Sequence, residues 1–284
     1  MPNCQRPLWI AAALAVLAGG CAHVGMWTAQ QPTLPLRYEM IRGQLVIRSD
    51  EPLPQHHRLI EELVAQRNEL LSVLNLPPSN EPISVYLFSS AEQFKSFMRS
   101  RYPDLPERRA FFVEKDTSLE VYAHWGDRVA EDLRHEVAHG YLHSVVPRIP
   151  LWLDEGLAEY FEVPRGMQGM NRPHLVHLAQ RLQEGWQPNL RRLEALTSPA
   201  EMDQIDYAES WAWVHLLLNS RTEHRDVLHG LLKDIHQNPG AAAPLSARIG
   251  SLWPNPDEAL VRYVHHITSQ QGLTSLSAAS SQPH

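Results

Sequence analysis

Two histidines four residues apart, His135 and His139, constrain this chain more than any other feature of its sequence. They lie in a segment whose apolar residues recur with a helical period. A helix brings side chains four residues apart to one face, so both imidazoles can reach one metal ion. Glu136 lies about 100 degrees round the helix from His135, where it can reach a water bound to that ion. The sequence therefore predicts a metal site on a helix over residues 128–146.

A second helix is predicted to supply the third ligand. Pro147 and Pro150 interrupt the chain after the histidines, and a new helical pattern runs over residues 151–163. A connection this short makes the two helices antiparallel neighbours and brings Glu155 close to both histidines. H-E-x-x-H alone is a weak signal, but two histidines, one carboxylate and an open position are typical of a catalytic zinc site. We therefore expect His135, His139 and Glu155 to bind Zn²⁺.

The remaining pattern predicts an α+β fold. Strands are expected over residues 38–50, 83–88, 110–113 and 118–122, the last two as a hairpin. Helices are expected over residues 55–75, 91–98, 128–146, 151–163, 173–184, 206–219, 223–237 and 256–269. Asp127 is placed to cap the helix that carries the histidines.

These elements predict one domain over residues 38–270. Its first part, residues 38–126, is sheet-rich, forming a mixed sheet with helices. Its second part, residues 127–270, is helical and begins with the zinc-binding helix pair. Residues 271–284 are low in complexity and are expected to be a disordered tail.

The sequence around the histidines resembles one family of metallopeptidases. His135-Glu136-x-x-His139 is followed by Trp152-Leu153-Asp154-Glu155-Gly156-Leu157-Ala158-Glu159-Tyr160. This combination is similar to the gluzincins, particularly the aminopeptidase N-like branch and its small peptidase-MA-like relatives, over roughly residues 80–220. The resemblance implies a gluzincin-like fold in which the two histidines and Glu155 bind zinc and Glu136 is the general base. The interval before Glu155 is a few residues shorter than in aminopeptidase N, which indicates a trimmed loop.

Two further positions carry over from this resemblance. Tyr207 begins the segment Asp206-Tyr207-Ala208-Glu209-Ser210-Trp211-Ala212 and matches the tyrosine that donates a hydrogen bond to the tetrahedral oxyanion. The alternative is a tyrosine that only packs at a helix start. Glu159 lies one turn after Glu155 and is placed to accept a hydrogen bond from a ligand imidazole, thereby fixing its tautomer. The alternative for Glu159 is a solvated glutamate on the helix surface.

Substrate recognition departs from the aminopeptidase pattern. The G-x-M-E-N segment that anchors a free amine is missing, so exopeptidase specificity does not carry over. The strand Leu119-Glu120-Val121-Tyr122 is expected instead to be a sheet edge that pairs with an extended peptide. Residues 166–172 are expected to form a cover over the site. His143 is interpreted as a polar neighbour of the site, and His174 as a surface residue.

The amino-terminal residues resemble a bacterial lipoprotein signal. Arg6 precedes the apolar run Leu8–Leu17, and Ala18-Gly19-Gly20 then lead to Cys21. This predicts a signal peptide over residues 1–20, lipidation of Cys21 and a tether over residues 21–37. Ala22 favours an outer-membrane anchor facing the periplasm, so the chain would be held at the cell envelope by lipid alone. The alternative is an ordinary secretory signal cleaved near Ala22.

Composition narrows the function classes. A net charge of -7 over 284 residues gives no general attraction to nucleic acid. The prediction is a zinc metallopeptidase that acts on a peptide or protein substrate. Two alternatives stay open, namely a non-catalytic envelope lipoprotein that binds a partner and a zinc hydrolase that cleaves a non-peptide amide. The oligomeric state also stays open.

Overall fold

The computed structural model describes residues 32–273. These residues form an α+β fold with a five-stranded mixed sheet, as the sequence predicts. The proposed signal peptide, Cys21, most of the tether and the tail from residue 274 lie outside the described residues. Within the described part, no helix has the length and apolar character needed to cross a membrane.

The five strands follow a defined order across the sheet. They are β1 (Tyr38–Arg42), β2 (Leu45–Ser49), β3 (Ile83–Phe88), β4 (Ala110–Lys115) and β5 (Ser118–His124), arranged as β1-β2-β3-β5-β4. The single strand predicted over residues 38–50 is a hairpin. Its turn begins at Gly43, whose φ of 56° is a left-handed conformation that glycine adopts without steric cost.

The free edges of the sheet differ from the edge that was predicted from the sequence. β5 pairs parallel with β3 on one side and antiparallel with β4 on the other. The prediction that Leu119–Tyr122 forms an edge is therefore wrong, because the hairpin folds β4 outside β5. Among the described residues, β4 and β1 are the two edge strands.

The helices match the predicted segments with shifted ends. The ten described helices are α1 (Arg58–Leu74), α2 (Ala91–Arg101), α3 (Val129–His143), α4 (Leu151–Phe161), α5 (Arg172–Gln183), α6 (Leu190–Glu194), α7 (Gln204–Asn219), α8 (Thr222–Gln237), α9 (Leu245–Arg248) and α10 (Pro256–Gln270). The short α6 and α9 were not predicted. The prediction that Asp127 caps α3 is wrong, because the N-cap residue is Arg128 and no side chain caps this helix.

The sheet separates two apolar layers because successive side chains of a strand point to opposite faces. On one face, Ile83, Val85 and Leu87 of β3 belong to the main core, which α1 and α3 share. On the other face, an aromatic cluster forms under α2. This sandwich holds α3, which carries the histidines, against the sheet.

Helix α4 packs against both α3 and α7. Helix α7 is buried on nearly all sides, and both Trp211 and Trp213 are fully buried, as expected for a helix inside a core. Gly156 of α4 meets the backbone of α7 so closely that a Cβ there would lie 2.5 Å from the carbonyl oxygen of Ser210. The absence of a side chain at this position sets the distance between the two helices.

The substitution Gly156→Ala is therefore expected to destabilise the fold. The carbonyl of Ser210 is backbone and cannot rotate away, so α4 must move from α7. Overpacking of this kind costs about 1–3 kcal/mol in the free energy of unfolding, which denaturant titration measures.

The matched control is Gly230→Ala in α8, where the nearest atom to a new Cβ is the flexible Arg248 Nη1 at 4.0 Å. This change should stabilise the protein by about 0.5–1 kcal/mol through helix propensity. Equal effects at the two glycines would contradict the packing argument.

Candidate metal centre

The three predicted ligands converge. His135 and His139 project from α3, and Glu155 projects from the first half of α4. The two histidine Nε2 atoms lie 3.2 Å apart. Glu155 Oε2 lies 3.5 Å from Nε2 of His135 and 3.7 Å from Nε2 of His139. Ligand atoms of a tetrahedral zinc ion with bonds of about 2.0–2.1 Å are separated by about 3.3–3.4 Å. The three atoms therefore have the spacing of a metal site.

Their hydrogen bonding supports the same conclusion. Glu155 Oε2 is buried and has no hydrogen-bond donor among the described residues. Burying an ionised oxygen without a partner lowers the stability of the fold by roughly several kcal/mol, unless a cation compensates its charge. His135, His139 and Glu155 form a group that can hold a metal ion, with two nitrogen donors and one oxygen donor.

Glu136 is held beside this group. It lies on α3 directly after His135 and is only 9% exposed. Burial raises the pKa of its carboxyl, while the neighbouring His135 and His139 and the backbone N–H of Phe112 favour the charged form. The net shift is upward, which brings this carboxyl closer to the range where a general base works best.

The other nitrogen of each histidine faces a carboxylate. His135 Nδ1 lies 3.0 Å from Glu162 Oε2, and His139 Nδ1 lies 2.9 Å from Asp154 Oδ1. A carboxylate at Nδ1 fixes the tautomer that leaves Nε2 free as a ligand. Neither acid was predicted as a site residue from the sequence. Asp154, which directly precedes Glu155, could have been found from its place in the motif.

Glu159 does not have the contact predicted for it. Its Oε2 lies 2.7 Å from His174 Nε2 and 3.3 Å from Asn171 Nδ2, while Glu162 is the acid hydrogen-bonded to His135. The reason is that α5 lies beside this part of α4 and His174 reaches Glu159. The interpretation of His174 as a surface residue is wrong, because its side chain is only 17% exposed.

His143 extends the polar network away from the ligands. Its Nε2 lies 3.0 Å from Asp154 Oδ2, and its Nδ1 lies 2.8 Å from Glu114 Oε2. Burial alone would raise the pKa of Asp154, but His139 and His143 hold it well below its usual range. Asp154 therefore stays ionised between the two imidazoles.

Tyr207 lies near the start of α7 and faces the same region. Its hydroxyl accepts a hydrogen bond of 2.9 Å from Arg108 Nη2. Burial and the negative charge of Glu155 raise the pKa of Tyr207, although Arg108 opposes this shift. The phenol therefore keeps its proton at neutral pH.

An open cavity of about 770 Å³ gives access to the group. Glu136 and His135 contribute to its wall. Met167, Met170 and Arg172 line it too, so the segment 166–172 borders the cavity where a cover was predicted. Phe112 of edge strand β4 stacks on His139 with ring centroids 5.8 Å apart. Ala110, the first residue of β4, lines the cavity, which therefore extends from His135 to the start of this edge strand.

No protein-family model matches this chain, and comparison with curated proteins gives no match.

The substitution Asp154→Asn is expected to weaken metal binding. The amide keeps the shape but loses the charge that orients His139, and losses of about 10–100-fold in metal affinity are typical of such changes. Titration with zinc in competition with a chromophoric chelator measures the affinity. Asp234→Asn is the control, because Asp234 of α8 pairs with Arg248 of α9 and its side chain is 48% exposed. An unchanged affinity in Asp154→Asn would contradict the orienting role.

Proposed function

We propose that this protein is a zinc-dependent hydrolase that cleaves peptide bonds. The observation that carries the proposal is the convergence of two imidazole nitrogens and the unpartnered Glu155 Oε2 within 3.7 Å of one another. Two imidazoles and one carboxylate suit zinc, whereas Mg²⁺ and Ca²⁺ prefer oxygen ligands alone. Three protein ligands leave one position open for water or substrate, which is typical of catalysis.

Glu136 is the proposed proton carrier. Bound zinc would supply Lewis acidity that polarises the scissile carbonyl and lowers the pKa of water. Glu136 would take the proton of the attacking water and pass it to the leaving amine. Its burial beside His135 and its upward-shifted pKa support this role.

Tyr207 is the proposed donor to the oxyanion. Its oxygen accepts from Arg108, and among the described residues no acceptor is present for its single proton. That proton is therefore available to the negative charge that develops on the carbonyl oxygen in the transition state.

Edge strand β4 supports a peptide as the substrate. Its free backbone groups can pair with an extended peptide by adding a strand to the sheet. Phe112 places this edge against His139, so a paired peptide would run past the metal-binding group. These features agree with the gluzincin resemblance, and we propose membership of that family in an envelope-anchored lipoprotein form.

The substitution Glu136→Gln tests the proposal. It should leave zinc at one per chain and lower the hydrolysis of casein or a peptide library by about 10²–10⁴-fold, the usual contribution of a general acid–base. Glu258→Gln is the control, since Glu258 pairs with Arg262 on the distant surface helix α10 and its side chain is 61% exposed. Parental activity in Glu136→Gln would refute the assignment.

The alternatives predict other outcomes for the unmodified protein. One zinc per chain with no hydrolysis of any peptide would favour a lipoprotein that only binds a partner. Hydrolysis restricted to non-peptide amides, such as cell-wall components, would favour the second alternative. A chelator should abolish the activity in either hydrolase, and re-addition of zinc should restore it.

The substitution Tyr207→Phe tests the oxyanion role separately. Loss of a donor that acts only in the transition state should lower kcat by about 10²–10³-fold with little change in KM. Zinc content should stay at one per chain. A rise in KM with an unchanged kcat would show instead that Tyr207 binds the ground state.

A further inference from the structure

Arg108 reaches the reacting groups from the loop that leads into β4. Its Nη2 donates to the Tyr207 hydroxyl at 2.9 Å, and its Cζ lies 5.9 Å from the centre of the Tyr207 ring. Its charge interacts with both Glu155 and Glu136. The side chain therefore extends from the β4 side of the site to α7.

Arg108 differs from other arginines of the same cavity. Three of them are paired with carboxylates, namely Arg109 with Asp132, Arg128 with Glu131 and Arg134 with Glu62. Within residues 32–273, Arg108 has no ion pair, and its one hydrogen bond goes to a neutral phenol. A guanidinium has five N–H donors in a planar fork, and because Arg108 is exposed, its other donors are open to solvent and to a ligand.

Two further cations of the described cavity wall also have no carboxylate partner. Lys95 and Arg172 also line it, and neither has an ion pair among the described residues. The acids Glu159 and Glu162 of the wall are hydrogen-bonded to histidines. Of these unpaired cations, Arg108 is the one that is hydrogen-bonded to Tyr207, so a carboxylate bound beside Tyr207 would meet its guanidinium.

We propose that Arg108 binds a carboxylate of the substrate next to the scissile bond. The inference rests on the proposed hydrolase function and adds a substrate class to it. The planar fork of arginine matches a carboxylate with two parallel hydrogen bonds, while one N–H can stay on Tyr207.

Tyr207 fixes the distance between this carboxylate and the reacting carbonyl. Since the guanidinium is hydrogen-bonded to the proposed oxyanion donor, a bound carboxylate lies within about one or two residues of the scissile bond, at about 3.3–3.8 Å per residue. Either the C-terminal carboxylate of a peptide or an Asp or Glu side chain can meet this condition.

The experiment uses zinc-loaded protein and three N-acetylated forms of one peptide. The first form ends in a free carboxylate, the second is amidated, and the third is amidated and carries Asp beside the cleaved bond. Hydrolysis gives kcat and KM, and fluorescence anisotropy with the Glu136→Gln variant gives Kd without turnover. We expect one or both carboxylate forms to exceed the amidated form by about 10–100-fold in kcat/KM and in affinity.

Arg108→Gln should remove this preference mainly through KM and Kd, and Arg108→Lys should keep part of it. The matched control is Arg172→Gln, which removes one positive charge from the same cavity wall and should keep the preference. A preference for the first form identifies the terminal carboxylate, and a preference for the third identifies an acidic side chain.

Three outcomes would overturn the inference. The first is equal binding of all three peptide forms by the parent protein. The second is an equal loss of the carboxylate preference in Arg172→Gln and Arg108→Gln. The third is a fall in kcat for all three forms in Arg108→Gln, with the ratios of their Kd values unchanged. The last would mean that Arg108 only positions Tyr207. The anisotropy measurement needs no turnover. If the protein bound the carboxylate forms through Arg108 but cleaved none of them, the proposed hydrolase function would be refuted and the proposed binding site would stand.

Discussion

The packing of α4 between α3 and α7 holds the candidate metal centre together. Gly156 lets the backbones of α4 and α7 approach closely, and the neighbouring Glu155 thereby meets the two histidines of α3. A metal site tolerates errors of only a few tenths of an ångström, so helix packing has to be equally well defined. The same contact that fills the core therefore determines the geometry of the ligands.

Buried charge is the second constraint, and the network around the ligands compensates it. Asp154 lies between His139 and His143, and Glu162 lies against His135. A buried carboxylate without such partners would destabilise the fold, whereas paired acids fix the imidazole tautomers. The motif Trp152–Tyr160 thus serves two purposes, since its apolar residues enter the core and its acids supply and orient ligands.

Local periodicity predicted the helices and the ligand set, because a helix determines which side chains share a face within one or two turns. It could not decide which acid orients His135, since Glu159 and Glu162 lie three residues apart and α5 selects between them. The edge strand was misplaced because strand order depends on contacts that are distant in sequence. Arg108 was not predicted as a site residue for the same reason, because its partner Tyr207 lies 99 residues away.

The two-residue turn between Lys115 and Ser118 sets the alignment of β4 on β5. Side chains alternate along a strand, so a slip of one residue would turn Phe112 and Glu114 away from α3 and bring Phe111 and Val113 in their place. Strand β4 would then lose its contacts with both His139 and His143. Length changes in this tight turn are thus far less tolerable than changes in the loop before β4. The length of a short hairpin therefore determines which side chains contact the histidines of a neighbouring helix.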